Sequence, residues 1–126
     1  MRNEALHYYR QGYNCSQCIL KAAEAVYKIP LTECNFDMCN GINTGLGIGS
    51  TCSVLVAGVM VFGALFDASE VKRLRMKLFD ACMERYHALD CYALQKESRS
   101  RGCESVVSEI AALIDGIIQD ECAKRT

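Results

Sequence analysis

Several features that would fix a function class quickly are missing from this chain of 126 residues. Its longest apolar run, Val54 to Phe66, covers 13 residues, short of the roughly 20 that a transmembrane helix needs, so no membrane span is expected. A formal net charge of −1 gives no electrostatic reason to expect nucleic acid or an anionic membrane as a partner. Met1-Arg2-Asn3-Glu4 begins no apolar stretch of the secretory type, which makes the cytoplasm the expected location. Nowhere do apolar and polar residues alternate with period two for long enough to make a strand. Pro30 is the only proline, and the two histidines, His7 and His87, sit in no evident motif. No nucleophile–His–acid arrangement stands out.

Cysteine is what the chain has in excess: there are nine. An odd number with no export signal argues against a disulfide scaffold and for metal, cluster or redox chemistry. Some can still be plain core residues, because free cysteine packs like a small hydrophobe. The composition, 51% hydrophobic and 23% charged, is that of one globular domain, 1–126, able to bury a single core.

Taken in order, Asn3 to Gln11 reads as a short amphipathic helix ended by Gly12. Asn14 is a good N-cap, and Cys15, Cys18, Ile19, Ala22 and Val26 follow at helical spacing as far as Tyr27. Pro30 stops that helix, and Thr32 can cap a single turn carrying Cys34 and Met38. Glycines 41, 45, 47 and 49 lead through Ser50-Thr51 to Cys52 and then to the apolar run, read as a central buried helix. Asp67 to Glu70 has capping-box spacing, and a long helix follows with Val71, Leu74, Leu78, Cys82 and Tyr86 inward. Its basic residues Lys72, Arg73, Arg75 and Lys77 read as a solvated face. A break near Ala88 lets Asp90 cap a short turn with Cys91 and Leu94, Gln95 to Gly102 reads as an exposed loop, and a last helix runs from Cys103 to about Asp120. The expected fold is all-α, a single-domain bundle of about five helices around the buried apolar one.

Four of the nine cysteines, Cys15, Cys52, Cys91 and Cys103, fall at predicted helix starts. Free N–H groups and the positive helix end favour negative charge there, so these thiols are expected to ionise readily. Cys82 lies on an apolar stripe and reads as core; Cys122 reads as incidental. Cys15 and Cys18 form a Cys-x-x-Cys pair, and with Cys34 and Cys39 they have the spacing of a four-cysteine zinc site, although such pairs usually sit in tight turns rather than on a helix. Gly45 to Ser50 has the look of a dinucleotide-binding loop but lacks the strand and βαβ unit that loop needs.

Gly12-Tyr13-Asn14-Cys15-Ser16-Gln17, the glycine-rich approach to Cys52, Cys91 with Leu94 three residues on, and Cys103 at a last helix resemble the redox-active protein family named for its C…GCAxxG…C…C signature. The resemblance covers roughly Gly12 to Ile118. It implies a small helical domain, redox activity, signature cysteines at Cys15, Cys52, Cys91 and Cys103, and an iron–sulfur cluster as a candidate cofactor. The chain departs from the pattern after Cys52, where Ser53-Val54-Leu55-Val56 stands in place of small residues, and Cys18 is an additional thiol.

The leading expectation is therefore a thiolate redox protein in which those four cysteines converge. They either ligate an iron–sulfur cluster or cycle between dithiol and disulfide in electron transfer with a redox partner protein. Gly47, Gly49 and Thr51 are the residues expected to let backbone approach a cofactor. The competing expectation is a zinc-stabilised or metal-free helical interaction module without redox activity. A domain with so apolar a central helix can share its surface in a homodimer, though nothing in the sequence demands one.

Overall fold

The structure, a computed structural model, describes residues 1–97 and 103–125. The part of the expected loop from 98 to 102, including Gly102 ahead of Cys103, lies outside the described residues. Seven α-helices are found in them: α1 (Arg2–Arg10), α2 (Cys15–Tyr27), α3 (Glu33–Asp37), α4 (Ser53–Leu65), α5 (Ala68–Tyr86), α6 (Cys91–Glu97) and α7 (Cys103–Lys124). The five long ones are those expected; α3 occupies one place expected as a single turn, while α6 continues past the turn expected at Cys91 and Leu94 through Gln95, Lys96 and Glu97, residues expected in the loop. No strand occurs among the described residues, and the architecture is all-α.

Local chemistry sets the helix starts. The Asn14 side chain accepts from the Gln17 N–H at 2.9 Å while the Gln17 side chain accepts from the Asn14 N–H at 3.2 Å, a reciprocal cap that satisfies two otherwise orphaned donors. Asp67 caps α5 through the Glu70 N–H at 3.0 Å, and Asp90 caps α6 through the Ala93 N–H at 3.2 Å. Helix α2 ends ahead of Pro30, at Lys28, whose φ of 59° turns the chain into the left-handed region. Asn14→Ala is expected to lower unfolding stability by about 1–2 kcal/mol, read as a lower urea midpoint at unchanged slope.

Helix α4 is the hub, packed against α2, α5 and α7, while α1 closes over α2 and α7. The largest fully buried side chains include Phe62 and Leu55 from α4, Ile19 from α2, Leu74 and Leu78 from α5, and Ile110, Ile114 and Ile118 from α7. Gly58 is where α4 is crossed most closely: a Cβ there would lie 2.7 Å from Ile114 Cδ1 and 3.0 Å from Leu78 Cδ2. Two expectations need correcting. The apolar run is not enclosed along its whole length, because Met60, Gly63 and Ala64 are exposed; burial is greatest in the half nearer Cys52, where Val56 alone between Val54 and Gly58 is partly exposed. Val26, at the same helical spacing as Cys18, Ile19 and Ala22, is exposed, whereas those three are buried. Of the basic face on α5, Arg73 ion-pairs with Glu121 of α7 rather than pointing only to water.

Candidate active site

The four cysteines singled out by helix starts are brought to one place. Cys15, Cys91 and Cys103 are the first residues of α2, α6 and α7, and Cys52 is the N-cap of α4. All four line a cavity of about 190 Å³, together with Tyr9, Asn14, Asn43, Thr44, Ser53, Val54, Gln95 and Val106. Cys52 and Cys91 are buried, whereas Cys15 and Cys103 are half-buried.

One backbone bridge and one side-chain contact hold this convergence. Thr51 and Asp90 form an isolated antiparallel bridge. Around it the Cys52 N–H donates to Leu89 O at 2.9 Å, and the Cys91 N–H donates to Ser50 O at 2.8 Å. The segments that carry Cys52 and Cys91 are therefore clamped to each other just ahead of each thiol, and both side chains face the cavity. Across the site, the buried Ser16 hydroxyl lies 3.0 Å from Asn14 Oδ1 and 3.2 Å from Asn43 Oδ1, tying the start of α2 to the glycine loop. In that loop Thr44 has φ 57°, a conformation that is costly for a β-branched residue and that recurs where a site is held in place by its surroundings.

The thiols differ in electrostatic situation. Cys15 and Cys103 line the same cavity, and a proton held on Cys15 favours the Cys103 thiolate, lowering Cys103 to about 7. The same pairing with Cys103, together with burial and the nearby charge of Cys103, Cys52 and Cys18, pushes Cys15 up. Cys52 is raised to about 11 by burial, opposed by the Val54 and Leu55 N–H groups at the start of α4. Cys91 is raised by burial, opposed by Gln95, whose Nε2 donates to its Sγ at 3.2 Å. Of the four helix-start thiols expected to ionise readily, only Cys103 is lowered, and the neighbouring Cys15 rather than its helix start lowers it. At Cys52 burial outweighs the helix-start N–H groups and at Cys91 it outweighs Gln95, with the neighbouring sulfurs adding a smaller push in the same direction.

The remaining sequence candidates lie elsewhere. Gly47, Gly49 and Thr51 are not among the described lining residues; the loop contributes Asn43 and Thr44 in their place. Gly49, at φ 71°, is instead required by packing, since a Cβ would run into the Tyr92 ring, while one at Gly47 would meet nothing within 4 Å. Thr51 is exposed and spends its backbone on the bridge to Asp90. Cys18 is buried and faces Tyr13 O at 3.6 Å; Cys39 is buried and faces Asn35 O at 3.7 Å; Cys34 and Cys122 are exposed. Cys82 is core, as expected, with its Sγ 3.4 Å from Ala88 O. His7 and His87 are both exposed, and neither lines the cavity. Among the described residues no three His, Cys, Asp or Glu side chains are grouped so as to hold a metal ion, the spacing-based zinc set of Cys15, Cys18, Cys34 and Cys39 included. No described helix is long and apolar enough to cross a membrane.

Tyr9, Asn43, Thr44 and Gln95 are site residues that the sequence reading did not single out. The one available signal was Gln95 four residues after Cys91, one turn along a helix face. Comparison with family models matched residues 13–117 to a family described as "Putative redox-active protein (C_GCAxxG_C_C)". Comparison with curated proteins and with solved structures gave no match.

Proposed function

The chain belongs to the C_GCAxxG_C_C family of redox-active proteins, and on that premise we propose that it works by thiol–disulfide chemistry, with Cys15 and Cys103 as the cycling pair. The observation that carries this reading is the placement of these two half-buried thiols together on one cavity, where the neighbouring Cys15 lowers Cys103 to about 7. A thiolate is the attacking form, and its optimum pKa lies close to ambient pH. Cys103 attacks one sulfur of a disulfide carried by a redox partner, forming a mixed disulfide and releasing a partner thiolate. Cys15 then loses its proton and attacks the Cys103 sulfur. The products are a Cys15–Cys103 disulfide and a partner reduced to two thiols, so two electrons and two protons have moved. Gln95, Asn14 and Thr44 line the cavity in which this takes place.

The test is peptide-resolved alkylation with iodoacetamide across pH 5 to 10. Cys103 is expected to show a midpoint near 7, moving in Cys15→Ala toward or above the roughly 8.5 of a free cysteine. Loss of the Cys15 S–H removes what favours the thiolate, whereas burial of Cys103 continues to disfavour it. The midpoint is the readout rather than the rate at one pH, because a less acidic thiol is intrinsically more nucleophilic and offsets part of its lost ionisation. A wild-type midpoint for Cys103 at or above that of free cysteine removes the basis of the assignment.

A second reading, four thiolates on an iron–sulfur cluster, is favoured by the convergence of Cys15, Cys52, Cys91 and Cys103 on one cavity. The donor chemistry suits such a centre. As they stand, however, no three described thiols are grouped to hold a metal ion, so no step is routed through it. Anaerobic purification with iron, sulfide and zinc analysis separates the readings. Iron with stoichiometric sulfide, lost in Cys52→Ser, selects the cluster, and zinc lost in Cys34→Ser selects the structural-metal alternative.

A further inference from the structure

The dithiol reading uses two of the four thiols on the cavity and leaves Cys52 and Cys91 without a task. Their placement differs from that of the outer pair. Cys52 is 4% exposed and Cys91 7% exposed, whereas Cys15 and Cys103 are half-buried. A bulky disulfide partner therefore meets the outer pair first. Each of the inner two directly follows a residue of the Thr51–Asp90 bridge, the Cys52 N–H donating to Leu89 O and the Cys91 N–H to Ser50 O. Residues that flank an antiparallel bridge diagonally lie on one face, about 7–8 Å apart and nearer at Cβ, so bonding them takes a shift of the two segments. Both cysteines face the cavity, and Cys91 is near enough for its charge to oppose ionisation of Cys52. Cys52 is also near enough to Cys15 for its charge to oppose ionisation there.

We infer that Cys52 and Cys91 form a second, shielded dithiol that re-reduces the Cys15–Cys103 disulfide by internal exchange, so that one chain stores four electrons in two pairs. The inference rests on the dithiol reading above. In the exchange the Cys52 thiolate attacks the Cys15 sulfur, forming a Cys15–Cys52 bond as the Cys15–Cys103 bond breaks and Cys103 leaves as thiolate. The Cys91 thiolate next attacks the Cys52 sulfur and Cys15 leaves. The outcome is a Cys52–Cys91 disulfide with Cys15 and Cys103 reduced. The two protons lost by the inner thiols end on the outer ones, and no external oxidant or reductant enters this step.

The experiment follows the fully reduced chain during anaerobic oxidation with hydroxyethyl disulfide, a small neutral probe. Samples are quenched with acid, alkylated with N-ethylmaleimide and mapped by peptide mass spectrometry. The wild type is expected to show Cys15–Cys103 first and Cys52–Cys91 afterwards, with the outer pair transiently reduced again. Cys91→Ser is expected to accumulate a Cys15–Cys52 bond, and Cys103→Ser to slow inner-pair oxidation by at least about tenfold, since direct attack from solvent is obstructed. If Cys15–Cys103 forms in the wild type but Cys52–Cys91 never does, the relay is overturned and the dithiol reading stands. Formation of Cys52–Cys91 at the wild-type rate in Cys103→Ser also overturns it. If the inner disulfide forms and the outer one does not, the choice of cycling pair is wrong, and the relay falls with it. The wild-type time course alone yields these distinctions should a serine variant fail to fold.

Discussion

Replacing Phe62 by alanine is expected to lower the free energy of unfolding by about 3–5 kcal/mol. Phe62 is fully buried on the helix that contacts α2, α5 and α7 together. The void left by its ring therefore has no single neighbour free to fill it. The neighbours are themselves pinned: Leu78 and Ile114 already approach the backbone of α4 as closely as Gly58 permits, and close-packed interiors relax only partly after truncation. Against a total stability of about 5–15 kcal/mol for a domain of this kind, the loss is large enough to populate unfolded chains at physiological temperature. Met60→Ala on the same helix is the control, because Met60 is 38% exposed and its truncation removes far less area from contact. Urea unfolding of the two variants in parallel checks the prediction. Equal losses would show that α4 is not held from its inner face.

The parts of this molecule that could be read from sequence are those governed by short-range chemistry. Asn14, Asp67 and Asp90 act on N–H groups within three residues, so each cap is visible in a stretch of four. The stripe Leu74, Leu78, Cys82 and Tyr86 repeats every four residues and is buried as expected. The cysteine set was legible for the same reason, since helix starts are local features. What could not be read depends on contacts between distant segments. Asn43 and Thr44 enter the site because Ser16 holds that loop to the start of α2, and Cys52 meets Cys91 because of a backbone bridge between Thr51 and Asp90. Neither contact carries a distinctive residue pattern. The ionisation of the thiols was misjudged by the same omission. A helix start can be seen from its own residues, but the burial and the other sulfurs that oppose charge at Cys15, Cys52 and Cys91 arrive from other helices.

That burial leads to the second large effect, a loss of stability in alkali that begins well below the range in which lysines discharge. Cys18 is raised to about 12, and Cys52 and Cys82 to about 11, in each case first by burial. Cys18 and Cys82 also point their sulfurs at the carbonyls of Tyr13 and Ala88, an arrangement that suits a thiol and repels a thiolate. In the unfolded chain these groups ionise near 8.5. Between that value and their folded values the unfolded state has released protons that the native state still holds, so stability falls as pH rises. At about 1.4 kcal/mol for each tenfold difference in acidity, each of the three thiols withdraws roughly 3–4 kcal/mol by pH 11 to 12. Together they approach the whole stability of a domain this size. Cys103 acts in the opposite sense: lowered to about 7, it adds stability as pH rises from 7 to about 8.5 and nothing further above that. The reduced protein should therefore be most stable slightly above neutrality and unfold cooperatively between about pH 10 and 12. Cys82→Ala, which removes a titrating group with little change of volume, should move that transition to higher pH. Far-UV circular dichroism against pH under reducing, anaerobic conditions measures it. A wild-type protein that stays folded at pH 12, or a Cys82→Ala midpoint that does not move upward, would mean that the buried sulfurs reach water far more easily than their burial implies.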